Sequence, residues 1–179
     1  TKEEKKRIAD RASRLLPNLT TLYLDDYFCS DVSRYTIDEI VELRGRQRLR
    51  GTDLAVVLYL DQGGVKEEIR KELELCDTIS LWTWSAKNLP KAEAEIRKCR
   101  AMVGKDKEFL LGIYMWDFGG GDKQIPAETM KSQLAVAYKL LKEHTIDGLI
   151  FHCTPFVAFD LESIRICREW IAEHGKEKW

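Results

Sequence analysis

Four aspartates stand where apolar runs of this sequence end. Asp25 and Asp26 follow residues 22–24, Asp61 follows residues 54–60, and Asp117 follows residues 109–116. Around them stand Tyr27, Gln62, Trp82, Trp84, Trp116, Phe118 and His152. Acids beside large aromatics suit carbohydrate chemistry. Cleaving a glycosidic bond needs two carboxyl groups, about 5–5.5 Å apart for retention or 6.5–9.5 Å for inversion. The apolar faces of sugar rings stack on aromatic platforms. Asp25, Asp26, Asp117 and Asp61 are therefore the candidate catalytic residues, and the seven aromatic and polar neighbours are candidates for holding substrate.

Each candidate also has a plainer reading. Asp25 and Asp26 could cap a loop, although two adjacent charges inside an apolar strand are expensive to bury without a purpose. Alternation along a strand lets only one of them face the site. Asp61 could be an ordinary strand exit before Gly63 and Gly64, and Asp117 a turn residue before Gly119, Gly120 and Gly121, a loop able to hug a ligand. Trp82 and Trp84 could be core, and His152 a structural histidine. The triple glycine lacks the Lys-Ser/Thr of a phosphate loop. Nothing in the pattern demands a metal or a cofactor, so none is expected.

These tips must be carried by regular elements. Ile8, Ala9, Ala12, Leu15 and Leu16 lie on one face of a helix that Pro17 ends. A strand follows over about 19–27. Thr36 to Glu39 has the form of a capping box opening a helix with Ile40, Val41 and Leu43, followed by a basic tail over 44–50. Residues 54–60 form an apolar run without alternation, as in strands of parallel sheets buried on both faces. Then come a helix over about 65–75, a strand over 78–84, a helix over 90–102, a strand over 109–116, a helix opened by Pro126, and a strand over 148–152. Asp160 is placed to cap a last helix, with Phe159 and Ile164 as a hydrophobic staple.

One helix followed by about five strand–helix units without hairpin signals predicts an all-parallel α/β sheet in a single domain over 1–179. At 179 residues the chain is too short for a complete eight-unit barrel, which needs roughly 250. It fits either the C-terminal segment of a (β/α)8 TIM barrel or a five-stranded, doubly wound, flavodoxin-like sheet. A nucleotide-binding sheet would carry glycines after its first strand; here that place holds Asp25-Asp26-Tyr27-Phe28, which favours the barrel segment.

Composition removes other classes. Lys and Arg (29) balance Asp and Glu (30), so no field favours nucleic acid or an anionic membrane. No apolar run approaches the ~20 residues of a membrane helix. The five cysteines have no close pair, which argues against a zinc site or a disulfide framework; Cys76 and Cys167 read as core. Asn18 begins a glycosylation sequon, but it abuts a buried strand. The chain opens at Thr1 without a signal peptide, and is expected to be an excised or processed piece.

Residues 24–28 (LDDYF), 81–84 (LWTW) and 112–119 (GIYMWDFG) resemble stretches of glycoside-hydrolase-like TIM-barrel proteins, including uncharacterised ones from polysaccharide-degrading bacteria. The resemblance spans nearly the whole chain and implies that the five strands are barrel strands four to eight. It implies a carbohydrate partner, a mid-barrel acid at Asp25 or Asp26, and a secreted or periplasmic location. The alternatives are a barrel that binds glycans without turnover, and a doubly wound interaction or signalling domain. An incomplete barrel leaves sheet edges and apolar surface exposed, so self-association, or pairing with a missing N-terminal barrel half, is expected.

Overall fold

A parallel sheet is covered by helices on one face, and in a barrel its other face closes on itself, so its strands are apolar on both sides. Residues 54–59 obey this rule, being buried without a break. A computed structural model describes residues 2–16, 18–26, 35–64, 66–120, 123–152 and 154–178. Its strands are β1 (Thr21–Leu24), β2 (Asp53–Tyr59), β3 (Thr78–Trp82), β4 (Glu108–Tyr114), β5 (Trp116–Asp117), β6 (Lys123–Gln124) and β7 (Gly148–His152). The main sheet runs β1-β2-β3-β4-β7, every neighbour parallel, and it curls into a half-barrel of about five β/α units. A doubly wound sheet would reverse its order partway. This one does not, and the flavodoxin-like alternative falls.

The helices are α1 (Lys2–Leu15), α2 (Ile37–Leu49), α3 (Arg70–Glu74), α4 (Ala92–Val103), α5 (Ala127–Lys142) and α6 (Glu162–His174). Leu54, Val56, Leu58, Ile79, Leu81, Phe109, Leu111 and Ile113 form the main core with Ile40, Ile96, Met130, Leu134 and Ile164 of the helices. The alternate residues Val57, Tyr59 and Trp82 form a second, smaller cluster with Trp84, Tyr114 and Ile150. That cluster lines the inner face of the curl.

At the N-terminal ends of the strands one arrangement occurs twice. Asp77, just before β3, accepts a hydrogen bond from the Leu54 amide at 2.9 Å through Oδ2, returns its own amide to the Leu54 carbonyl at 2.8 Å, and pairs with Arg44 of α2. Asp147, just before β7, accepts from the Phe109 amide at 2.7 Å, donates its amide to the Phe109 carbonyl at 2.8 Å, and pairs with Arg100 of α4 at 3.2 Å. Each clamp ties a strand to its sheet neighbour and to the helix that precedes that neighbour. Between them, the Glu108 amide donates to the Asp77 carbonyl at 3.0 Å and Thr78 Oγ1 donates to Glu108 at 2.8 Å.

Several local expectations hold and others are corrected. The capping box is present: Thr36 Oγ1 accepts from the Glu39 amide, and Glu39 accepts from the Thr36 amide. The basic residues 44–49 continue that helix instead of trailing from it, and Arg46 and Arg50 reach Asp10 of α1. β1 stops at Leu24, short of the acids. A small antiparallel pair, β5–β6, stands where no hairpin is signalled. Asp160 does not cap α6: Leu161 is the N-cap, Gln124 accepts the Glu162 amide at 3.2 Å, and Asp160 pairs with Arg165. On the apolar face of α1, Ile8 is 60% and Leu15 63% exposed.

The clamps predict a stability asymmetry. Asp77→Ala leaves the buried Leu54 amide and the Arg44 guanidinium without their partner, and is expected to cost about 2–4 kcal/mol in urea unfolding. Glu95→Ala, which removes an exposed pair with Lys98 on α4, should cost less than about 0.5 kcal/mol. Equal small losses would show that the clamps do not hold the sheet.

Candidate active site

The C-terminal ends of the strands gather the candidate residues, and Tyr59 joins the first two. Its hydroxyl lies 3.0 Å from Asp25 Oδ1 and 3.2 Å from Asp26 Oδ1. The two carboxylates are thus no more than two hydrogen-bond lengths apart, although alternation along a strand would send them to opposite faces. The reason is that β1 has already ended. Asp26 turns into the left-handed region at φ 53°, a conformation that Asp tolerates better than most residues. Its amide donates to Asp25 Oδ1 at 2.9 Å. Burial, the neighbouring Tyr114 and the two carboxylates push the Tyr59 phenol well above its ordinary value. The hydroxyl therefore stays a neutral donor at any physiological pH.

From Tyr59 an aromatic wall crosses the mouth of the curl. Tyr59 packs on Trp84 at 4.8 Å between ring centroids, and pairs across the ladder with Trp82. Trp82 meets Tyr114 at 4.9 Å and His152 edge-on at 5.9 Å; Tyr114 meets Phe118 at 5.1 Å. Trp116 stacks on Phe156 at 4.9 Å. The buried Trp82 indole keeps its polar atom satisfied by donating to Ser80 Oγ at 3.0 Å, and Ser80 donates on to the Val56 carbonyl. Gly112 makes room for the indole: a Cβ there would lie 1.9 Å from the ring.

Asp61 and Asp117 serve the chain itself in this arrangement. Asp61 accepts from the Trp84 amide at 2.8 Å and from Asn88 Nδ2 at 2.7 Å. Asp117, 5% exposed, accepts from the Ala86 amide at 3.0 Å. With the Gly119 amide on the Trp84 carbonyl at 3.1 Å, they grip the β3 exit loop from both sides and fix Trp84. The glycine loop hugs its own protein: Cβ atoms at Gly119 and Gly120 would strike Ser85 and Asp117.

Of the remaining candidates, Gln62 ends the turn after β2 and lines a cleft of about 260 Å³ with Tyr59, Lys66 and Ile69. Phe118 and His152 are exposed at the mouth. Tyr27 lies outside the described residues, as do Cys29 and Cys153. Burial pushes the Cys76 and Cys167 thiols up to about 12, so neither is a nucleophile. Tyr59, Tyr114 and Phe156 were not singled out by the sequence. Tyr59 sits in an apolar run where a tyrosine reads as core, and only the end of the strand beside two acids hints at its role.

No protein-family model matches the chain, and neither does any curated protein. Among solved structures, a candidate alpha-L-fucosidase from Bacteroides thetaiotaomicron aligns over 98% of this chain and 64% of its own, with a TM-score of 0.64 and 11% identity. Phospho-2-dehydro-3-deoxyheptonate aldolase from Thermotoga maritima aligns over 82% of this chain and 36% of its own, with a TM-score of 0.51 and 15% identity. This chain spans less than two thirds of either. The likeness is one of fold.

The wall depends on the gap at Gly112. Gly112→Ala should displace the Trp82 indole and cost about 1–3 kcal/mol, with loss of near-ultraviolet circular dichroism. An unchanged spectrum and melting temperature would mean that Trp82 does not need the gap.

Proposed function

We propose that this chain is the C-terminal portion of a glycoside-hydrolase-like barrel, its strands corresponding to strands four to eight, and that its mouth binds carbohydrate and cleaves a glycosidic bond. The observation that carries the reading is the Asp25–Tyr59–Asp26 cluster at the foot of an aromatic wall. One carboxyl of the pair protonates the leaving oxygen while the other, as carboxylate, attacks the anomeric carbon, the route that suits groups no more than two hydrogen-bond lengths apart. Water, deprotonated by the first group, then displaces the sugar from the second, so that water is added across the C–O bond and both groups return to their starting protonation. Tyr59 holds the pair through a neutral hydrogen bond, and Trp84 supports the sugar. Asp61 and Asp117 position Trp84 and do not themselves exchange protons.

Binding without turnover is the second reading, favoured by the commitment of Asp61 and Asp117 to loop amides. One experiment separates the two. On aryl glycosides, α-L-fucoside included, Asp25→Asn or Asp26→Asn is expected to lower kcat by about 10²–10⁴ while sugar affinity changes little. A wild-type chain that binds sugar but shows no turnover above buffer would leave the binding reading in place.

The partner belongs to the same proposal. β1 and β7 end the sheet, and the exposed Ile8 and Leu15 form an apolar stripe on α1. Such edges and stripes favour association. Light scattering is expected to find the isolated chain self-associating with rising concentration; a monodisperse monomer throughout would overturn this.

A further inference from the structure

The aromatic wall runs on past the acids. Phe118 is 43% exposed and Phe159, in the turn before α6, is 57% exposed. Phe118 lies 6.4 Å from Phe156, and Phe156 lies 6.3 Å from Phe159, between ring centroids. Through the Tyr114–Phe118 contact at 5.1 Å this outer row joins the inner cluster. The rings therefore form one path from Trp82 to the far rim beyond β7, in which Phe118 and Phe159 are exposed and are joined through the half-buried Phe156. Exposed rings that continue a ligand wall mark a surface that a ligand covers.

Two of the charged groups beside the outer row have partners within the chain. Asp160 pairs with Arg165 at 3.2 Å, and Arg168 donates to the Val157 carbonyl at 2.9 Å. Phe118 and Phe159 offer ring surface to a ligand, which suits the apolar faces of sugars.

We propose that Phe118, Phe156 and Phe159 form a distal subsite, so that the ligand is an oligosaccharide lying from the acid pair to the rim beyond β7, not a single terminal sugar. The inference rests on the carbohydrate reading above and adds the length of the ligand.

Calorimetric titration with cello-, xylo-, manno- and malto-oligosaccharides of one, three and six units tests it. For any series bound, the six-unit sugar should bind at least about tenfold more tightly than the one-unit sugar. Phe159→Ala, at an exposed position that the core does not use, should cut that ratio at least about threefold, and Phe159→Trp should keep it. Equal affinity at all lengths, or a ratio untouched in Phe159→Ala, would overturn the distal subsite and leave the carbohydrate reading standing. Binding of no sugar at any length would overturn both.

Discussion

The register of the parallel sheet is the constraint on which the mouth depends, and two aspartates at the opposite end hold it. Asp77 and Asp147 each exchange two hydrogen bonds with the neighbouring strand, through Leu54 and Phe109. Side chains along a strand alternate between faces, so a slip of one residue would turn Tyr59 and Trp82 toward the helices and put Leu58 and Leu81 inside. An aspartate here does what a hydrophobic contact cannot. Its carboxylate meets one amide at one distance and so adds a directional contact to the register that the apolar pattern sets.

The inner face shows how packing becomes a site. Trp82 fits only because Gly112 on the next strand has no side chain, and its indole is satisfied by Ser80, two residues back. Tyr59 stands beside it, buried, with its hydroxyl reaching the acids. The same cluster that covers the inner face of the sheet therefore also fixes the donor between Asp25 and Asp26. Removing an inner aromatic would damage both functions, which limits what can be varied there.

What was legible in the sequence is what local physics determines. The unbroken apolar run of β2 announced a sheet buried on both faces, and Thr36 with Glu39 announced a helix start, because each signal lies within a few residues of its effect. The missing glycine fingerprint and the repeated strand–helix plan favoured the barrel segment, while the strand order itself came from the structure. The misses depend on distant partners or on where an element stops. Alternation separated Asp25 from Asp26 only if β1 ran through them, and it ends at Leu24. The amides that Asp61 and Asp117 hold, Trp84 and Ala86, could not be foreseen because they are more than twenty residues away. Asp160 looked like a cap because Gln124, which takes the amide instead, arrives from the unsignalled β5–β6 pair.

The clamps have a further meaning. Arg44, Leu54 and Asp77 occupy in one helix–strand–helix–strand stretch the places that Arg100, Phe109 and Asp147 occupy in the next. The stretches from α2 to β3 and from α4 to β7 thus share a plan of two β/α units, each with its own fastening at one end and its own loops at the other. Such a plan makes the architecture modular. A lineage can duplicate, lose or exchange a two-unit block without inventing new joints, and can rewrite the loops at the mouth while the joints stay untouched.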